Sequence, residues 1–292
     1  MRNAAQCLCG LLALLVVSQA GFTQDALRWP KSVEAGSSFS VPTSGSGPAA
    51  LYIVGPGDAI RRKVQLGNTI FFQPSDLHNA GHYLALLVAG GVVQSAQFDV
   101  APSQPASLSF IAKPSRLPVA RADAISGVAY VFDVFHNLVL RPQRISFALS
   151  DAAGSAQSRS ASTNNGVAWV QMNSAAKAGA AQFEASVDDA VHERRVVQQV
   201  PGDPCRVRIN ARASGSRILL ETEPVRDCSG NAVPDGTVVT FTETSPGGQT
   251  TVDVPLKRGV ARTELPAQRG AVISAAIGVV LGNEIRWNGG GQ

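Results

Sequence analysis

At 292 residues the chain is long enough for two or three domains of ordinary size, and 45% apolar residues can give each a core. Only 16% of residues are charged, and the net charge of +4, to which Arg2 contributes one, is too small to argue for nucleic acid. The 28 glycines and 17 prolines are spread along the chain, which predicts many short elements, many turns and an all-β protein.

Residues 1–20 have the layout of a secretory signal. Arg2 supplies the positive start, Leu11–Val17 the apolar centre, and Ser18-Gln19-Ala20 the small residues before an expected cleavage after Ala20. The apolar run is too short for a permanent membrane anchor. Cys7 and Cys9 precede or open that run, whereas a lipid-modified cysteine follows one. The mature chain is thus expected to be exported, to the periplasm or to the cell exterior, with no transmembrane anchor.

The first segment covers 21–101. Strands are predicted at Ala35–Val41, Ala50–Val54, Arg61–Gln65 and Thr69–Phe72, with breakers at Gly55-Pro56-Gly57-Asp58 and Gly67-Asn68. Asn79-Ala80-Gly81-His82-Tyr83 then brings a tyrosine in just after a turn glycine. This resembles the tyrosine corner of immunoglobulin-like sandwiches, in which the hydroxyl ties its strand to the preceding loop. Ala85 stands where antibody domains have a cysteine, so the resemblance is to the broad sandwich class.

Pro102-Ser103-Gln104-Pro105 is a short, proline-stiffened boundary, and a second segment runs from 102 to 200. Its predicted strands include Ser107–Ile111, Gly127–Phe135, Val167–Val170 and Ala178–Ser186. Pro201-Gly202-Asp203-Pro204 opens the third segment, 201–292, which repeats the second. Asp133, Asn137, Val139, Ile145 and Phe147 recur at the same offsets as Asp227, Asn231, Val233, Val239 and Phe241. Gly166-Val167-Ala168 recurs as Gly259-Val260-Ala261, and the agreement keeps its order over about 50 residues. The nearly apolar run 271–281 is expected to be a buried strand.

Cys205 and Cys228 are the two cysteines left after the leader, and in an exported protein they read as one disulfide. Val207, Ile209 and Ala211 alternate with Arg206, Arg208 and Arg212, Ser214-Gly215-Ser216-Arg217 is a turn, and Ile218–Val225 returns. The two cysteines then face each other across the open end of a hairpin. The rival reading is a pair of free thiols or half a metal site, without a histidine nearby.

The loop Asp227-Cys228-Ser229-Gly230-Asn231-Ala232-Val233-Pro234-Asp235-Gly236 and the strand through Phe241, followed by Gly-Val-Ala, resemble the bacterial immunoglobulin-like domain of the invasin and intimin type. Residues 205–292 follow the pattern well. In 106–200, His136 replaces the turn glycine and Arg141-Pro142-Gln143 the Pro-Asp-Gly turn, and 21–101 matches loosely. The resemblance implies three tandem immunoglobulin-like β-sandwiches. In that family such domains stack as stalks of surface adhesins, so it implies a non-enzymatic structural or adhesion-type protein of the cell envelope, with an unknown protein or glycan at the cell surface as partner. The alternative is a soluble carbohydrate- or peptide-binding module using a loop end near Trp29 or Trp169.

No residue is nominated as catalytic. The chain carries no Gly-x-Ser-x-Gly, His-Glu-x-x-His, phosphate loop or dinucleotide fingerprint. His78, His82, His136 and His192 fall at loops and strand ends, and the basic groups Arg61-Arg62-Lys63, Arg141 with Arg144, and Arg194-Arg195 are small and separate. Asp227, Asn231 and Asp235 lack the alternating oxygen ladder of a calcium loop, so they are assigned to turn capping and no metal or cofactor is expected.

Overall fold

A computed structural model describes residues 27–188, 190–266 and 268–289; the predicted leader lies outside them. The chain divides into two compact units, 1–102 and 103–292.

In the first unit the strands are β1 (Ser32–Glu34), β2 (Phe39–Pro42), β3 (Gly47–Gly55), β4 (Asp58–Leu66), β5 (Thr69–Phe72), β6 (Gly81–Ala89) and β7 (Val92–Ala101). They form a five-stranded sheet in the order β1-β7-β6-β3-β4 and a two-stranded sheet β2-β5. Alternate residues of β3 and β6 point inward, burying Leu51, Ile53, Tyr83, Ala85 and Leu87. Trp29 packs among Phe39, Phe72 and Phe98, with ring centroids 4.8 Å from Phe98 and 5.5 Å from Phe72. The Tyr83 hydroxyl donates to the Asn79 carbonyl at 2.8 Å, the strand-to-loop tie of a tyrosine corner. Gly55 is required beneath that ring, because a Cβ there would lie 2.1 Å from the Tyr83 Cε1 atom.

The second unit contains two sandwiches in sequence, each with its own core. The first has β8 (Pro105–Lys113), β9 (Arg116–Pro118), β10 (Ile125–Asp133), β11 (Arg144–Ser150), β12 (Ala156–Ser162), β13 (Val167–Met172), β14 (Gly179–Val187) and β15 (Val191–Val200). Its sheets run β13-β10-β8 and β12-β11-β14-β15-β9. The inner faces supply Phe110, Ile125, Ile145, Phe147, Met172 and Phe183, all 1% exposed or less.

The next sandwich has β16 (Ile209–Ser214), β17 (Arg217–Thr222), β18 (Val238–Ser245), β19 (Gly248–Pro255), β20 (Arg262–Pro266), β21 (Val272–Ile277), β22 (Val280–Leu281) and β23 (Ile285–Arg286). The sheets are β16-β17-β20 and β19-β18-β21-β22, with β23 also pairing β21. Phe147 and Phe241 hold equivalent places. Each is fully buried on the strand after the motif loop, and they pair with Ala185 and Ala275 respectively. In the earlier sandwich, an 11-residue β8–β10 connection carries β9 to the edge of the second sheet, whereas β16 and β17 are joined by a tight turn at Gly215.

The apolar run 271–281 is not buried throughout. Val272–Ile277 is the inward-alternating strand, but Gly278 turns the chain at φ +55°. Val279 and Leu281 beyond it are 96% and 80% exposed. Composition alone made the run look uniform, and the glycine supplies the break.

Glu243 sits on β18 where β11 has the core residue Leu149. It is buried, its Oε1 atom has no hydrogen-bond partner among the described residues, and burial raises its pKa above the ordinary 4.5. Because the folded pKa is raised, the protein is most stable with respect to this group below pH 4.5, and loses that contribution as pH rises through the raised value. Glu243→Leu is therefore expected to stabilise the last sandwich by about 1–3 kcal/mol at pH 7. The gain should shrink toward pH 4, as read from denaturant midpoints at the two pH values.

Candidate functional site

The repeated loop is organised on one carboxylate in each sandwich of the second unit. Asp227 Oδ1 accepts from the Ser229 N–H at 2.9 Å and the Asn231 N–H at 2.8 Å. Its Oδ2 accepts from the Gly202 N–H at 2.9 Å and from Asn231 Nδ2 at 3.0 Å. Asp133 is held the same way, accepting at Oδ1 from Phe135 and Asn137 N–H groups at 2.9 and 2.8 Å, and at Oδ2 from Ser103 N–H and Asn137 Nδ2, both at 2.9 Å. The main chain also matches, with Asp133 and Asp227 N–H groups donating to the carbonyls of Asn137 and Asn231 at 2.9 Å. His136 adopts φ +65° where Gly230 has +80°, so the loop keeps its conformation without the glycine.

Burial alone would raise both carboxyl pKa values. The asparagine amide and the three backbone N–H groups outweigh it, and both are held below the ordinary 3.8. In each case one of those N–H groups comes from the segment entering the sandwich, Ser103 or Gly202. The carboxylate therefore closes its own loop and fixes the incoming chain.

The loops differ beyond that point. Asp235 Oδ1 accepts from the Gly259 N–H at 3.1 Å, and N–H groups of Arg258 and Gly259 lower its pKa. Arg141, in the corresponding place, instead donates to Gln104 Oε1 at 2.6 Å and the Ser103 carbonyl at 3.2 Å. Gly236, at φ +88°, donates its N–H to the Leu256 carbonyl at 2.9 Å. Pro142 has no N–H to offer there, and the neighbouring Gln143 pairs with Thr163 through the backbone at 2.8 Å and through Oγ1 at 2.9 Å.

Asn231 also reaches across the joint. Its Oδ1 accepts from the Ala178 N–H and its Nδ2 donates to the Ala176 carbonyl, both at 3.0 Å. Arg121 and Asp203 add an exposed ion pair at 3.4 Å, of small energetic weight. Cys205 and Cys228 form a disulfide with Cα atoms 4.7 Å apart, beside the bond from Cys205 N–H to the Arg226 carbonyl. It closes the open end of the β16–β17 hairpin.

The oxygens of Asp133 and Asp227 are taken by N–H donors, and among the described residues no group of three metal-ligating side chains lies together. Trp29 belongs to the first unit's core, whereas Trp169 is 64% exposed on the outer face of β13. There it forms a cross-strand row with Val128 and the 43% exposed Ile111. The Gln171 carbonyl of β13 and the Asn173 carbonyl just past its end are covered by Arg159 and Gln157 of β12, both at 2.6 Å. These side chains oppose strand addition at that end of β13. No helix of the described residues is long and apolar enough to cross a membrane.

These features define a chain of immunoglobulin-like β-sandwiches with a repeated, carboxylate-centred inter-strand loop. No family model matches the chain, and no curated protein matches it in sequence. Among solved structures it is similar to the Escherichia coli adhesin FdeC, at 14% identity over 90% of this chain and 96% of that one, with a TM-score of 0.59. It is also similar to invasin, a bacterial integrin-binding protein, at 12% identity over 84% of this chain and 54% of that one, with a TM-score of 0.43. At such identities the likeness to FdeC shows a shared fold.

Proposed function

We propose that this chain is an exported, non-enzymatic, adhesion-type protein of the cell surface, made of three tandem immunoglobulin-like modules covering 21–101, 102–200 and 201–292. The carrying observation is the motif aspartate. In both copies it spends an oxygen on the chain entering its module, which anchors that entry segment to the module's own loop. Tandem modules that present contact surfaces away from an envelope use such anchored entry segments, and the fold shared with an adhesin agrees with that use. The expected result is that antibody labels the chain on intact cells and that deleting its gene lowers attachment to host cells or to a surface. A chain confined to the periplasm, with attachment unchanged on deletion, overturns the reading.

The exposure of Trp169 favours a second reading, a carbohydrate- or peptide-binding face on β8–β10–β13. Saturable binding of a neutral sugar that is lost in Trp169→Ala, with the melting temperature unchanged, decides for it.

A further inference from the structure

Arginine recurs at alternate positions where the chain enters the last sandwich: Arg206, Arg208 and, past Asn210, Arg212. Val207 and Ile209 are 3% and 2% exposed, whereas Arg206 and Arg208, on the segment leading into β16, and Arg212 within it are exposed to solvent. In extended backbone, residues two apart are spaced about 6.6 Å, so Arg206 and Arg208 are near neighbours and Arg212, four residues past Arg208, stands about twice that distance further along. Arg226 joins them in a recess beside the disulfide, which also holds Glu223.

The pairing of these charges is uneven. Arg212 faces Glu221 at 3.9 Å, but that carboxylate already binds Arg262 at 2.7 Å. Arg226 donates to the Gly230 carbonyl at 2.9 Å. Among the described residues, Arg206 and Arg208 have no ion pair and no side-chain hydrogen bond, and the nearby Glu223 contacts Arg208 through the backbone, its N–H donating to the Arg208 carbonyl at 2.8 Å. The matching strand of the preceding sandwich, β8, carries Ser107, Ser109 and Ile111 outward, so the row does not follow from the fold.

We propose that Arg206, Arg208, Arg212 and Arg226 form a binding site for a linear sulfated polysaccharide. Guanidinium groups offer paired N–H donors that match sulfate oxygens, and a cluster of them around a recess and along the adjoining strand suits a polymer charged on successive sugars. Nucleic acid is disfavoured because the outer face of β16–β17–β20 carries Asn210, Leu219, Glu221, Arg262 and Glu264 but no aromatic side chain on which bases stack. The inference deepens the adhesive reading by naming its ligand class, and it rests on that reading for its cellular setting.

The test measures heparin binding by the mature full-length chain across a salt series. Affinity is expected to fall linearly on logarithmic axes with salt. Arg206→Ser/Arg208→Ser should weaken it about ten-fold or more and reduce the slope by about 1–2. Arg194→Ser/Arg195→Ser removes the same charge from groups already paired with Glu184 and Glu193, and should leave binding unchanged. Hyaluronate, which carries carboxylates without sulfates, should bind more weakly than heparin. Equal melting temperatures for the variants and the parent certify the fold. Absence of heparin binding at physiological salt, equal losses in the two double variants, or equal affinity for hyaluronate or duplex DNA each overturns the proposal. Heparin binding without cell attachment keeps the site and refutes the adhesive reading, while attachment without heparin binding does the reverse.

Discussion

Asp227→Ala is expected to destabilise the last sandwich by about 3–5 kcal/mol, the largest effect of any single substitution proposed for this protein. The carboxylate is 5% exposed and accepts from three backbone N–H groups and one amide. Alanine leaves these donors with nothing to replace it but whatever water can enter. Asp227→Asn keeps the shape and loses the charge, and should cost less. The pH dependence has a definite sign. The folded pKa is depressed, so the stabilisation is complete above the ordinary 3.8 and disappears as pH falls through the folded value. Parent and Asp227→Ala should thus converge in acid. The three tryptophans provide the readout, since Trp29 lies in the first unit, Trp169 in the earlier sandwich of the second, and Trp287 in the last core. In single-tryptophan variants the Trp287 transition should move while the Trp29 transition stays. Movement of both by the same amount would show that the carboxylate does not act locally.

Removing the disulfide is expected to be the next largest perturbation. Cys205 and Cys228 are 23 residues apart, and closing such a loop stabilises by about 3 kcal/mol in the chain-entropy model. Reduction, or Cys205→Ala/Cys228→Ala, should lower the Trp287 midpoint and leave Trp29 unaffected. Unreacted parent protein should carry no titratable thiol in its mature part. If thiol titration of exported protein finds two, the bond does not form in the cell and the prediction fails.

The comparison of sequence and fold divides along the range of the interactions. Strand alternation is local, so Val239 and Phe241 could be assigned inward from the sequence, and the repeat carried that assignment to Ile145 and Phe147. The hairpin between the cysteines was legible for the same reason. Glu243 lies in that inward phase too, two residues after Phe241, but a carboxylate among threonines looks like solvent-facing strand and was passed over. Trp169 was readable as outward from Ala168, Val170 and Met172, which flank it in the opposite phase. His136 was harder, because a side chain at positive φ depends on the loop that holds it, and here the Asp133 carboxylate does so. The reach of Asn231 to Ala176 and Ala178 spans more than 50 residues and left no local trace. The arginine row lay in plain view at alternate positions, but its significance depends on which carboxylates stand beside each charge.

The asparagine at that joint belongs to two neighbours at once. A fragment begun at Pro201 would keep the Asn231 amide but lose Ala176 and Ala178, while one stopped at Val200 would leave their backbone groups unclaimed. Either cut exchanges these two bonds for water, at a cost of about 1 kcal/mol each. The pair of sandwiches is consequently the piece that keeps the seam whole, and a rearrangement by duplication or exchange that moves one of them keeps it only by supplying a matching backbone edge for the amide to grip.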